Sequence, residues 1–291
     1  MTAEAIPLGG ITPVILAKVR VRSSTKFIIA GTALIGILAL VAFLAPWIAP
    51  HDPEAVEVDR VLGSPTLDHL FGSDVLGRDV LSRVIYGLRV SLLVSLSAVL
   101  ASTAIAVPLG LLAGYFGRWT DTVISRTLDM ILVLPAMLLA ITFIAILGPG
   151  STVAAIAIAV IYLPILARVM RTSALVVTRN DYIPGARSRG SSHLRIMIGH
   201  VAPNALGPVI VQASVLSAFA LQLEAGLSFL GLGTQPPTPS LGGMLADGRD
   251  VLIQAPWVEI FPGIAIVLAV LAFTFLGEGF RRAFDPIGIA K

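Results

Sequence analysis

Asp181-Tyr182-Ile183-Pro184-Gly185-Ala186-Arg187-Ser188-Arg189-Gly190 runs on through Ser191-Ser192-His193-Leu194-Arg195 and closes at His200-Val201-Ala202-Pro203-Asn204. It is a polar, arginine-rich island between long apolar runs. Met130 to Ala167 before it holds no charged residue over 38 positions, and Val201 to Leu223 after it is also uncharged. An ionised side chain in hydrocarbon costs at least ~3 kcal/mol. The island therefore lies outside a bilayer that the flanking runs cross, where its charges and ordered breaks suit contact with a partner.

Composition agrees with a membrane chain. Apolar residues make up 56% of the 291 and charged residues only 13%, about half the charge of a soluble domain. Mean hydropathy is +0.92. There is no cysteine, which excludes disulfides and thiol chemistry.

A helix needs about 20 apolar residues to cross about 30 Å of hydrocarbon. Phe27–Ala49, Val90–Gly117, Met130–Ala167, Val201–Leu223 and Ile260–Gly277 meet that need, and Gly148-Pro149-Gly150-Ser151 divides the third run in two. Gly and Pro break helices and expose backbone to water. The expectation is an all-α integral membrane protein of six helices. A cytoplasmic arm covers 1–26, with Met1 to Thr12 unpatterned. The first membrane helix covers 27–49, too long for a cleaved signal. A loop with an interfacial segment covers 50–89, the five-helix core 90–280 and a cytoplasmic tail 281–291. Asp79 to Arg89 reads either as interfacial or as part of the second span. Pro108, Pro135, Pro164 and Pro208 fall within the spans, as routine kinks or as flexing points of a gated pathway.

Basic residues set the orientation. With the N-terminus inside, 15 of the 20 Lys and Arg fall in the arm, the 115–128 loop, the 168–200 island and the tail; the opposite side has Arg60, Arg78, Arg83, Arg89 and Arg249, with seven carboxylates in its first loop. Both termini are thus expected to be cytoplasmic.

Several chemistries lack their signatures. The three lysines, Lys18, Lys26 and Lys291, do not follow a glycine, so no phosphate-binding P-loop exists. His51, His69, His193 and His200 show no His-x-x-x-His spacing, so no metal site within the chain is expected. No nucleophile elbow or paired intramembrane carboxylates occur, and no catalytic or cofactor-binding residue is assigned. Asp129 and Glu278 sit at span ends. Glu224 near the end of the fifth run reads either as a packing hydrogen bond or as part of a pathway, with Phe229 beside it.

Within the island, Asp181 can cap a short helix with Pro184 in its first turn. Gly190-Ser191-Ser192 would interrupt it, and Ser192 would cap a second short helix over His193 to His200. Pro203 and Asn204 mark the start of the fifth span. On composition alone, a basic loop at anionic lipid headgroups and a compact docking knob stand level.

The segment resembles the EAA loop of ABC importer permeases. Asp181-Tyr182-Ile183-Pro184-Gly185-Ala186, then Gly190-Ser191-Ser192, then His200-Val201-Ala202-Pro203-Asn204 follow the spacing of that loop, although Pro184 and Gly185 replace its usual Glu and Ala. Phe71-Gly72-Ser73-Asp74-Val75-Leu76-Gly77-Arg78-Asp79-Val80-Leu81-Ser82-Arg83 is similar to the Gly-Thr-Asp-x-x-Gly-Arg-Asp signature before the second span. Leu227-Ser228-Phe229-Leu230-Gly231-Leu232-Gly233 with the prolines 236, 237 and 239, and Gly277 through Pro286, extend the likeness. Together they resemble the C-type permease of the dipeptide, oligopeptide and nickel ABC importers.

The resemblance implies a type I importer subunit of MetI-like fold in the cell's inner or plasma membrane, without enzymatic activity or cofactor of its own. A homologous B-type permease, one or two ABC ATPases that hold ATP and Mg, an extracytoplasmic substrate-binding protein and membrane lipid would be its partners, and nucleic acid would not. The cargo would be dipeptides or short peptides, with a nickel chelate, haem or another solute as alternatives. A self-contained secondary transporter is the competing class. The coupling knob would present Tyr182, Ile183 and Leu194 at its centre and Arg187, Arg189 and Arg195 at its rim. Gly72, Asp74, Gly77, Arg78, Asp79 and Arg83 would form either a structural turn or a substrate contact.

Overall fold

The computed structural model describes the backbone of residues 13–284 and the side chains of 28–284. The expectations for 1–12 and 285–291 lie outside the described residues.

Among the described residues there are eleven α-helices and no strand. They are α1 (Pro13–Phe43), α2 (Ala45–Ile48), α3 (Val80–Phe116), α4 (Arg118–Leu132), α5 (Ala136–Leu147), α6 (Ser151–Thr178), α7 (Tyr182–Ser188), α8 (His193–Ile196), α9 (Ala202–Phe229), α10 (Leu241–Gly248) and α11 (Trp257–Phe284). Helices suit lipid because each satisfies its own backbone groups. Four stretches are long and apolar enough to cross a bilayer alone: Val80–Phe116, Ser151–Thr178, His193–Phe229 and Trp257–Phe284. The α4–α5 pair counts as a fifth if its 85° bend is one broken span, and α1 is apolar over Ile28–Phe43.

Several boundaries differ from the sequence expectation. Asp79 to Arg89 is not a separate interfacial segment: Asp79 caps α3 by accepting from Ser82 N–H at 2.8 Å, and the helix runs unbroken to Phe116. Residues 115–128 are not a loop, because α4 starts at Arg118. The third span does not begin at Met130; the chain breaks between Leu132 and Ala136, with Pro135 at the break rather than inside a helix. Pro135 cannot donate a helical N–H and pushes its predecessor out of the α region, so the helix stops there. The first helix ends at Phe43, and Arg281 to Phe284 extend α11 instead of starting a separate tail. The turn at 148–150 forms as expected, with Gly148 at φ +90°.

Small residues set the packing. Gly110 and Gly114, one turn apart on α3, lie against the backbone of α6; a Cβ on Gly110 would strike the Ala167 carbonyl, and one on Gly114 would come within 2.6 Å of the Arg171 carbonyl. Gly31 brings α1 equally close to α11, where a Cβ would lie 2.5 Å from Leu276 N. Helices in lipid associate through such close contacts because lipid is as apolar as their side chains. Two apolar cores result. One joins α3 through α8 and runs the length of α9; the other joins α1, the first half of α3, the later part of α9, α10 and α11. Faces of α3 and α9 enter both.

Gly110→Leu should therefore separate α3 from α6 and lower the melting temperature of the purified chain, at a cost of about 1–3 kcal/mol. Gly36→Ala, at a position with open space around it, should leave melting unchanged. Equal melting of both variants would refute the seam.

Candidate functional site: a knob and an ion cluster at opposite ends of α3

The polar island folds into a knob at the C-terminal end of α3. Helix α7 ends in a Schellman turn: Gly190, at φ +78°, donates to the Arg187 carbonyl at 2.9 Å, and Ser191 N–H to the Ala186 carbonyl at 3.2 Å. Glycine takes that left-handed position without a Cβ penalty. Pro184 falls in the first turn of α7, where no N–H is required. Asp181 does not cap: it is itself helical and its carboxylate takes no capping hydrogen bond. Ser192 does cap α8, its Oγ accepting from Arg195 N–H at 3.4 Å.

The second short helix is not separate from the span. Helix α8 passes through a π-helical turn, Met197–Val201, directly into α9. Pro203 lacks the N–H that a regular helix would need, and a wider turn just before it accommodates the loss. Asn204 Nδ2 donates to the His200 carbonyl at 2.7 Å, supplying a partner for an acceptor in that turn.

The knob is fixed to the bundle from two sides. Ile183, Ala186, Ile196, Met197 and Val201 enter the first apolar core. Ile183 is 2% exposed, so it is not part of an accessible docking surface; the α7 face it shares with Ala186 is spent on the chain's own core. Tyr182 and Leu194 remain outward, Leu194 at 64%, with Arg187, Arg189 and Arg195 exposed around them. On the other side Tyr115, near the end of α3, shares a 2.8 Å hydrogen bond with His193 Nδ1. The guanidinium of Arg187 lies 5.4 Å from the centre of the Tyr115 ring, within cation–π range. Sequence patterns do not single out Tyr115; a phenol two residues before the Gly117 break is the available signal.

The signature before α3 forms a buried ion cluster about 55 Å away along that 37-residue helix. Asp74 accepts from the backbone N–H of Leu76 and Arg78 and from Arg78 Nε at 2.7 Å, and forms an ion pair with Arg83 Nε 3.3 Å away, outside hydrogen-bond geometry. Arg78 also reaches Asp247 of α10 at 3.4 Å, and Arg83 donates to the Pro53 carbonyl at 3.1 Å. Burial pushes the Asp247 carboxyl up, against the pull of Arg78 and Arg83. Gly72 and Gly77 stand at φ +71° and +78°, and a Cβ on Gly77 would strike the Glu57 carbonyl. Of the two readings the geometry favours the structural turn, since Asp74, Arg78 and Arg83 are buried and spent on one another.

Glu224 is 1% exposed and accepts from Ser228 Oγ at 2.8 Å through one carboxylate oxygen, while the other is buried without a hydrogen-bond partner. Phe229 ends α9, and Gly231, at φ +75°, closes a second Schellman turn through Ser228 and Leu227. Neither Glu224 nor Phe229 lines the cavity of about 300 Å³ between α3, α4 and α6, which Asp129, Arg168 and Arg171 border. Arg171 grips Asp121 with two nitrogens, and Arg168 meets Asp129 at 2.8 Å, tying α4 to α6. The histidines also depart from expectation. His51 and His69, 18 residues apart in sequence, stack at 4.3 Å beside Asp79, a proximity made by loop folding that helical spacing cannot reveal.

Asp74→Ala should leave Arg78 and Arg83 buried without their carboxylate and cost roughly 3–5 kcal/mol, seen as a lower melting temperature; unchanged melting would contradict the cluster's role. Tyr115→Phe should cost about 1 kcal/mol of knob anchoring. Amide exchange over 182–196 should then quicken while that of α11 stays fixed. Exchange unaffected in both segments would show that the phenol does not hold the knob.

Comparison with known proteins agrees with this architecture. Residues 106–287 match the family described as the binding-protein-dependent transport system inner membrane component, and residues 24–65 match the N-terminal TM domain of oligopeptide transport permease C. The chain is 41% identical over 98% of its length to a putative peptide transport system permease protein of Brucella suis, covering 96% of that protein. It is 41% identical to the dipeptide transport system permease protein DppC of Alkalihalophilus pseudofirmus, over 90% of this chain and 86% of that one. It is 43% identical to the glutathione transport system permease protein GsiD of Escherichia coli, over 86% and 83%. Among solved structures, a chain of the MetNI methionine ABC transporter in an inward-facing conformation aligns with a TM-score of 0.57 at 18% identity, over 70% of this chain and 96% of that one, and shares its fold. The chain belongs to the family of binding-protein-dependent transport inner membrane components, as a permease of the oligopeptide C type.

Proposed function

We propose that this chain forms half of the membrane pathway of an ATP-driven importer of short peptides and that its knob receives the force of a separate ATPase. The exposed Tyr182–Leu194 surface, ringed by arginines on a knob built into α9, carries this reading. An apolar centre with a polar rim is a common plan for a docking surface. The named cargoes of the relatives, peptides, dipeptides and glutathione, support a short peptide as substrate.

In this scheme a homologous B-type permease completes the pathway, and a substrate-binding protein delivers cargo at the opposite face. ATP and Mg sit in the ATPases, and this chain binds no cofactor for transport. Both termini lie in the cytoplasm with the knob. Closure of the ATPases displaces the knob, and the helices tied to it move as rigid bodies, giving alternating access.

The test is a reconstituted complex carrying Leu194→Asp. The substitution places a charge on an exposed side chain and leaves the core untouched. Stimulation of ATP hydrolysis by the loaded binding protein should fall at least tenfold while the melting temperature is retained. Full stimulation would overturn the knob as the docking surface.

A further inference from the structure

We propose that His51, His69 and Asp79 bind a divalent first-row metal ion of the zinc class at the loop end of α3. The inference stands apart from the transport reading.

The three side chains offer ligand atoms that all lie within 4.8 Å of one another. Asp79 Oδ1 is 2.9 Å from His69 Nδ1 and 3.9 Å from His51 Nδ1. Ligands about 2.0–2.1 Å from a tetrahedral ion stand about 3.3 Å apart, so the two observed spacings bracket the required one. Two imidazoles and a carboxylate are a donor set suited to zinc, cobalt, nickel or copper, and a poor one for calcium or magnesium.

The backbone presents these groups firmly. His51 N–H donates to Ser82 Oγ at 3.1 Å, and Asp79 Oδ2 accepts from Ser82 N–H, so both are hooked to the first turn of α3. The His69 carbonyl accepts from Thr66 N–H and Gly72 N–H, and its own N–H donates to Thr66 Oγ1.

One nitrogen has no partner without an ion, and the other ring stands between two carboxylates. His51 Nδ1 is buried and has no hydrogen-bond partner. His69 faces a carboxylate from each nitrogen: Asp79 at Nδ1, and Glu57 Oε2 3.8 Å from Nε2. A neutral imidazole has one proton and satisfies only one of them. With an ion on Nδ1, the proton moves to Nε2 and points at Glu57, the carboxylate–histidine–metal relay that commonly orients a ligating ring.

Access is open on the His51 side, where a cavity of about 460 Å³ is lined by Pro46, Pro50, His51, Asp52 and Tyr86 among others. One adjustment is required. The rings are nearly parallel, at 16°, whereas an ion lies in the plane of each ligating ring. His51, the more exposed of the two, turns about its Cβ–Cγ bond to aim Nδ1 at the ion.

The full chain, purified in detergent and stripped with a chelator, is titrated with Co²⁺ by visible absorption and with Zn²⁺ by equilibrium dialysis. One equivalent of saturable uptake is expected, with a cobalt spectrum of low coordination number. His51→Ala, chosen because its side chain is part-exposed, should weaken uptake at least tenfold without altering melting. His69→Ala should do the same or more, and Glu57→Gln should weaken it severalfold. His200→Ala, outside the cluster, should bind as the unaltered chain does. Absence of saturable uptake, or uptake indifferent to His51→Ala, would overturn the site.

Discussion

The close approach of α3 to α6 is the contact on which the rest of the molecule depends. Side chains have little reason to leave lipid for one another, since both surroundings are equally apolar. What holds two such helices is dispersion between surfaces that fit, and the fit here comes from missing atoms. Gly110 and Gly114 let a helical backbone lie on a helical backbone. The Asp121–Arg171 and Asp129–Arg168 pairs then fasten α4 across the same seam. Because α3 also enters both apolar cores, its position sets that of α9 and of the knob.

The two polar assemblies differ in their use of charge. At the start of α3, Asp74, Arg78 and Arg83 are buried and consume one another. Their positions are fixed by geometry that glycine alone tolerates, as at Gly72 and Gly77. The knob keeps most of its arginines in water and is fixed by apolar contacts beneath them and by Tyr115. One end of the helix therefore has its buried charges paired with one another, and the other offers unspent charge.

Much of this could be read from the residues. Uncharged runs give membrane helices because hydrocarbon tolerates little else, and Gly190 and Ser192 predict their turns through local backbone chemistry. The failures have common causes. The α4–α5 break was hidden because Pro135 in an apolar run serves equally as a kink or as a terminus. Asp181 has the composition of a cap, yet its own backbone is helical. Ile183 looked available because a sequence cannot say which face of a seven-residue helix its own chain will cover. The His51–His69 stack needed the path of an irregular loop, and no periodicity encodes that path. The Gly110–Gly114 spacing was visible in the sequence, but its partner on α6 was not.

The unbroken passage from α8 through the π turn into α9 has a mechanical consequence. His193–Phe229 is one apolar stretch of 37 residues, about 55 Å at 1.5 Å per residue. A rod of that length magnifies rotation: each degree of tilt about the His193 end carries the Phe229 end through about 1 Å. The far end abuts α10, where Gly242 meets the Ala225 carbonyl. A swing of a few degrees at one surface is thus enough to make or break a van der Waals contact at the other, with no helix needing to melt.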